Sequence, residues 1–364
     1  MKKSYDYPIL FITILLVCIG IVMVFSASFY SAQIQFHDSY YFLKKQIMGA
    51  AAGLIGMIFF MNFSYWKLEK ITKLLLIFSF ILLVIVLIPG IGKNVNGASR
   101  WLNVAGVSIQ PSEIAKFSII LYMASSMSRK KERMKYFLKG MFPHLLVMGI
   151  FFFLIVIQPN FSVAGSIVIL VIVMLFVGEA RLLHLGYLLI AGSGLTYVLI
   201  KFEAYRLKRF LIFLNPWSDP RKNGYQLIQS LYSLGAGGLF GMGLGNSRQK
   251  FLYLPYGESD FIFSIIAEEL GYIGAIVLII IFLVLIWRGI RVAITATDLF
   301  GSYLAAGITT IIAIQVIINI AVVTGSMPPT GLPLPFISAG GSAVTVFMCS
   351  IGVLLNISKN SQSG

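Results

Sequence analysis

Two carboxylate-bearing stretches and one basic segment hold the side chains most able to do chemistry. Asp260 directly precedes a long apolar run, and Glu268 and Glu269 follow inside it. On a helix, Glu268 would stand about 80° from Asp260 and Glu269 roughly opposite, each about 12–14 Å further along the axis. An acid at Asp260 fits either a helix cap or a working carboxylate at the helix mouth. Glu113 and Lys116 are three residues apart in Gln110-Pro111-Ser112-Glu113-Ile114-Ala115-Lys116, so they share a helical face and can pair. The pair is either a structural ion pair or a cation presented to an anionic substrate. Residues 202–260 carry Arg206, Lys208, Arg209, Arg221, Lys222, Arg248 and Lys250. That concentration suits an anionic partner such as a phosphate group, or contact with anionic headgroups.

Those residues are held by a framework that composition defines. Of 364 residues, 58% are hydrophobic and only 11% are charged. A water-soluble fold cannot hide that much apolar surface, so soluble enzymes, disordered chains and disulfide scaffolds are excluded. Cys18 and Cys349 lie in apolar runs and read as small packing residues. His37, His144 and His184 are scattered and match no metal motif.

A hydrocarbon core of about 30 Å requires roughly 20 apolar residues per helix. Runs at 8–29, 46–62, 72–89, 112–128, 143–157, 162–178, 184–201, 261–287, 301–324 and 337–357 predict an all-α polytopic membrane protein with ten transmembrane helices. Pro159, between Gln158 and Asn160, separates the fifth run from the sixth. The first run follows Lys2 and Lys3 and is long enough to be an uncleaved helix rather than a signal peptide. Fifteen of the 28 basic residues fall on segments that are cytoplasmic if the N-terminus is inside, against four in the short outer loops. Both termini are therefore expected in the cytoplasm. The cluster Arg129-Lys130-Lys131-Glu132-Arg133 reads as a topology signal, not a nucleic-acid site.

Residues 202–260, between the seventh and eighth helices, then form a large structured extracytoplasmic loop. Asn215-Pro216-Trp217-Ser218-Asp219-Pro220 predicts a turn. Leu227, Leu231 and Leu234 predict a short amphipathic helix lying in the membrane interface. Six glycines between Gly235 and Gly245 follow, with neither GxxxxGK[ST] nor GxGxxG, so no nucleotide loop is indicated. The proline-rich 327–336 segment should be rigid and partly re-entrant. These features suit an enzyme acting on an anionic lipid-linked substrate or a transporter of one, and residue chemistry leaves both open.

The same motifs resemble the SEDS family (shape, elongation, division and sporulation proteins) over roughly residues 8–357. They are Gly97-Ala98-Ser99-Arg100-Trp101-Leu102, Gln110-Pro111-Ser112-Glu113 with Lys116, Asn215-Pro216-Trp217, Ser247-Arg248-Gln249-Lys250, Asp260-Phe261-Ile262-Phe263 with Glu268-Glu269, and Thr330-Gly331-Leu332-Pro333-Leu334-Pro335 with Gly340-Gly341-Ser342. The Asn-Pro-Trp and Ser-Arg-Gln-Lys segments look closest to the FtsW/SpoVE branch. The resemblance implies a single membrane domain spanning 1–364 in the bacterial cytoplasmic membrane. It implies polymerisation of lipid II into peptidoglycan strands, with a class B penicillin-binding transpeptidase as partner, in division or sporulation. A lipid II flippase is the alternative activity.

By the same resemblance Asp260 is the catalytic base. Lys116, Glu113, Arg100, Arg209, Arg248, Lys250 and Ser342 are implied to bind substrate. One base suits an inverting displacement without a covalent sugar intermediate, and fixed cations would stabilise a departing pyrophosphate. A magnesium or manganese ion could assist, but no ligand cluster requires one. The chain departs from the family pattern at Asn160, Tyr256 and Ser259.

Overall fold

The computed structural model describes residues 4–95, 98–104, 107–202 and 204–361. The side chains of Lys93, Arg206 and Arg209 lie outside that description, as do Lys2, Lys3 and Gly97 altogether. Twelve α-helices are present among the described residues. Each expected apolar run falls on one: α1 Tyr7–Phe36, α2 Tyr41–Asn62, α3 Tyr65–Ile85, α4 Pro111–Arg129, α5 Phe142–Ile157, α6 Phe161–Val177, α7 Leu182–Lys201, α10 Ile262–Thr295, α11 Leu299–Val323 and α12 Gly341–Lys359. Six helical stretches are long and apolar enough to cross a membrane by length and composition: α1, α2, α10, α11, α12 and Phe137–Ile157, which includes α5. Large apolar side chains such as Phe11, Ile55 and Ile190 stay exposed along these helices, as a lipid-facing surface requires.

Local signals set the boundaries. The Asp6 carboxylate accepts the Ile9 N–H at 3.3 Å to start α1, and Asp298 accepts that of Gly301 at 2.8 Å to start α11. Pro111 opens α4, where a missing N–H costs nothing. One end of the bundle is tied by charge: Arg288 of α10 meets Asp6 at 2.7 Å, Arg129 of α4 meets Glu69 of α3 at 2.9 Å, and Tyr65 of α3 donates to Asp298. These contacts put the start of α11 and the ends of α4 and α10 at the same end of the bundle. Helix α12 also ends there, since its Asn356 accepts the Tyr65 N–H and its Ser358 accepts that of Asp6.

Helices α2 and α12 form the tightest pair. A methyl on Gly49 would lie 2.5 Å from the Gly341 Cα, and one on Gly53 2.6 Å from the Met348 sulfur. The Gly49-x-x-x-Gly53 spacing thus lets two backbones meet where larger residues would hold them apart. Cys349 packs against Gly56 on this seam, whereas Cys18 is exposed on α1.

Two features differ from the sequence expectations. The segment before α4 is not a plain loop but an antiparallel meander of β1 Gly92–Val95, β2 Ala98–Val104 and β3 Val107–Ile109. The long loop contains two helices, α8 Ala204–Leu214 and α9 Tyr225–Ala236. The expected amphipathic helix, α9, does not spend its apolar face on lipid. Leu227 and Ile228 are buried, Leu227 and Leu231 lie over Gly325, and Ser230 donates to the Val323 carbonyl at the end of α11. The unforeseen helix α8 is the one that leaves Leu207, Phe210, Leu211 and Leu214 exposed beside Lys208, the pattern of an interfacial helix.

Candidate active site at the Asp260 turn

Of the two roles that the sequence left open for Asp260, the structure excludes the helix cap. Phe261 occupies the cap position of α10 and no side chain bonds there. Asp260 instead ends a turn pinned against the proline-rich segment. The Asn319 amide of α11 donates to the Asp260 carbonyl at 2.9 Å and to the Leu332 carbonyl at 2.8 Å. Ser338 donates to the Ser259 carbonyl at 2.6 Å while accepting the Leu334 N–H at 2.8 Å, and the Ala339 N–H donates to the Glu258 carbonyl at 2.9 Å. Three successive residues are therefore fixed through their backbones, and the Asp260 side chain is half-buried. Gly331 keeps the space beside it: its φ is +77°, and a methyl there would lie 3.1 Å from Asp260 Oδ2.

The proline-rich segment is held from three sides. Its Leu332, Leu334, Phe336 and Ile337 are buried, Gln46 of α2 donates to the Ser338 carbonyl at 3.3 Å, and Ser162 of α6 donates to the Thr330 carbonyl. This agrees with the expected rigidity. Glu258, two residues before Asp260, was not singled out from sequence. Burial, and secondarily the negative charge of Asp260, push its carboxyl above the usual carboxylate range.

Glu268 and Glu269 do a different job. The Glu268 carboxylate accepts from Ser247 Oγ at 2.6 Å, Ser233 Oγ at 2.9 Å and the Arg248 N–H at 2.9 Å. Glu269 accepts from Ser26 of α1 at 2.7 Å and lies 3.6 Å from Lys250 Nζ. Both carboxylates thus fasten the Ser247–Lys250 segment to the bundle. The glycine-rich stretch before it docks on a break in α10 at Gly271, where φ is +72°. Met242 and Gly243 donate backbone N–H groups to the Glu268 and Glu269 carbonyls, and Tyr272 donates to the Gly238 carbonyl. Methyl groups at Gly241 or Gly271 would sit within 2.3 Å of the opposite backbone. The glycines serve close backbone approach, as the absence of a nucleotide motif implied.

The implied substrate-binding residues are spread over several elements. Lys250 is committed to Glu269 and to the Gly245 carbonyl. Arg100 of β2 donates to the carbonyls of Gln158 and Pro159, holding the break between α5 and α6. Arg248 is exposed on the fastened loop. Arg209 lies on α8. Glu113 and Lys116 form a buried ion pair at 2.8 Å, with the Lys116 ammonium 5.4 Å from the Phe347 ring centroid. They line a narrow crevice with Ile311 and Ser350. Ser342 is the second residue of α12, and its hydroxyl is buried without a hydrogen-bond partner among the described residues. No group of three or more His, Cys, Asp or Glu side chains gathers as a metal site among the described residues. An ion carried in by a pyrophosphate would not need one.

The fold and sequence have close counterparts. Residues 7–363 match the model of the cell cycle protein family of FtsW, RodA and SpoVE. The chain is 47% identical over 361 residues to stage V sporulation protein E of Bacillus subtilis, covering 99% of each. It is 43% identical over 357 residues to the probable peptidoglycan glycosyltransferase FtsW of Geobacter sp. (strain M18), covering 98% of this chain and 97% of the other. A chain from a peptidoglycan synthase complex that coordinates polymerization and crosslinking superimposes with a TM-score of 0.81 at 26% identity, 98% of each chain being covered. The rod shape determining protein RodA of Thermus thermophilus shares the fold, with a TM-score of 0.73, 24% identity and 99% of each chain covered. Half-buried acid, pinned turn and fastened basic loop thus sit on a shared multi-pass bacterial membrane scaffold, and the chain belongs to the FtsW/RodA/SpoVE family of cell cycle proteins.

Proposed function

We propose that this protein is a peptidoglycan glycosyltransferase that polymerises lipid II at the outer face of the bacterial cytoplasmic membrane, with Asp260 as general base. In this reading ten helices span the membrane, both termini are cytoplasmic, and α8, α9 and the Asp260 turn face outward. Lipid II is a disaccharide of N-acetylated amino sugars, bearing a peptide, on an undecaprenyl pyrophosphate. A sugar hydroxyl attacks the anomeric carbon that carries the pyrophosphate. The new glycosidic C–O bond forms as the old one breaks, its electron pair leaves with the pyrophosphate, and the hydroxyl proton passes to the Asp260 carboxylate. A base held within hydrogen-bond reach lowers the barrier by taking that proton as the bond forms.

The observation that supports this reading best is the mounting of Asp260. Its turn is bonded through three consecutive backbone carbonyls to α11 and the proline-rich segment, so the carboxyl is positioned before substrate arrives. Charge that develops on the leaving pyrophosphate calls for cations. Arg248 is exposed on a loop whose backbone is fixed by Glu268, and Lys116 is the cation placed deeper. Lys250 and Arg100 act by holding the loop and the α5–α6 break in place. Resemblance to a chain from a peptidoglycan synthase complex supports a class B penicillin-binding transpeptidase as partner.

The test is polymerisation of lipid II by purified protein, with and without that transpeptidase. Asp260→Asn is expected to abolish glycan polymer while lipid II binding and thermal stability are retained. Polymer formed at the wild-type rate by Asp260→Asn would remove the general-base role. Translocation of lipid II across vesicles without any polymer would support the flippase instead.

A further inference from the structure

Exposed apolar side chains gather on the glycine-rich hairpin that follows α9. Phe240 is 80% exposed and Leu239 63%, and Leu244 is exposed beyond them. From Asn223 to Ser247 the chain holds no charged residue, although Lys222 and Arg248 stand at either side. Apolar side chains grouped on a surface gain free energy only against an apolar neighbour. The depth of the hairpin in the bilayer decides which neighbour is there.

Two ties between α1 and α10 measure that depth. At the charge-tied end, Asp6 meets Arg288 at 2.7 Å. Towards the other end, Ser26 of α1 donates to Glu269 of α10 at 2.7 Å. The helix between the two ties is about 28–30 Å long on either side. That is about one hydrocarbon thickness, so the ties lie near its two borders. The hairpin hangs from α10 at the second border and just inside it. Met242 and Gly243 donate to the Glu268 and Glu269 carbonyls at 2.9 and 3.0 Å, whereas the Gly238 and Leu239 carbonyls accept from Tyr272 at 2.9 Å and Ile273 at 3.2 Å. Tyr272 and Ile273 follow Glu269 along α10 and lie about 4–6 Å deeper than it. Their side chains are exposed. The tip thus pairs its backbone with α10, as irregular backbone requires at such depth, while Leu239 and Phe240 stay uncovered.

We propose that residues 237–245 dip into the acyl layer at the border opposite the charge-tied end, with Leu239 and Phe240 as a lipid anchor beside Tyr272 and Ile273. Acyl chains are the occupant because the patch continues the exposed apolar face of α10, where Val277 and Ile280 follow, and because no charge interrupts it. The Ser247–Lys250 segment comes directly after the hairpin. The anchor, together with Glu268 and Glu269, therefore holds that basic segment at the headgroup level. It does so whichever reaction the Asp260 turn carries.

Spin-label accessibility tests this on the full chain in vesicles of phosphatidylethanolamine and phosphatidylglycerol. A nitroxide is attached at Phe240→Cys, Ile280→Cys or Arg221→Cys, each combined with Cys18→Ala and Cys349→Ala. Ile280 is exposed within the span of α10, and Arg221 is exposed before α9. Oxygen concentrates among acyl chains and a nickel chelate in water. The Phe240 label should collide several-fold more often with oxygen than with the chelate, as the Ile280 label does, while the Arg221 label shows the reverse order. Chelate collisions at Phe240 as frequent as at Arg221 would put the hairpin in water and overturn the anchor. A Phe240 label reached by neither reagent would lie against protein and overturn it as well. Loss of its oxygen collisions on adding the class B transpeptidase would make the patch a docking face for that partner instead of a lipid anchor. If Phe240→Cys does not fold, Leu239→Cys carries the same comparison.

Discussion

Two carboxyls close together in sequence just before α10 behave differently. Asp260 is half-buried and held by its backbone, while Glu258 is pushed above the normal carboxylate range by burial and then by the Asp260 charge. A raised folded-state value means that the folded protein holds the Glu258 proton more tightly than the unfolded chain does. That contribution to stability is complete below the unfolded value near 4.5 and is lost as pH rises through the folded value. Glu258→Gln, which stays neutral, should therefore flatten the decline of melting temperature across this window. Melting curves of the two proteins over roughly pH 4 to 8 check it. Parallel curves would mean that Glu258 does not titrate differently in the folded state.

The break in α10 shows how an element can be shaped by a loop. Unwinding at Gly271 frees backbone groups that a continuous helix would satisfy, and the glycine-rich stretch takes them up. Glu268 and Glu269 then bind the following Ser247–Lys250 segment. Gly271→Ala should cost at least about 1–3 kcal/mol, since alanine is strained at positive φ, and its methyl would meet the Gly241 nitrogen at 2.3 Å. Thermal unfolding measures that loss, and limited proteolysis of residues 237–250 should quicken as the loop detaches. Unchanged melting would show that the loop's docking does not depend on the glycine.

Among the described residues, charge inside the bundle is met by an opposite charge, as at Glu113 and Lys116, or by several hydrogen bonds, as at Glu268. Removing Lys116 alone would strand Glu113 in a buried site, at a cost of about 3–5 kcal/mol. Replacing both, as Glu113→Gln with Lys116→Met, should restore most of that stability because no uncompensated charge remains. If Lys116 also stabilises the leaving pyrophosphate, the double variant will fold yet polymerise lipid II slowly. Stability from thermal melts and rates from the polymerisation assay separate the two roles. A stable double variant with wild-type rate would confine the pair to structure.

The sequence alone determined the membrane character, the apolar segments and the break at Pro159, because each depends on local composition or on a backbone restriction of one residue. It also singled out Asp260, Glu113 and Lys116, since charge in an apolar chain is conspicuous. Tertiary structure decided where those residues sit and what surrounds them. Asp260 does not cap α10 because Asn319 and Ser338, distant in sequence, bend its turn against the proline-rich segment. The face of α9 is covered by the end of α11 rather than lipid, and Lys250 and Arg100 are engaged by Glu269 and the α5–α6 break. Apolar periodicity reveals which face a helix buries, but not which helix covers it or at what height, and those two facts set which polar atoms meet.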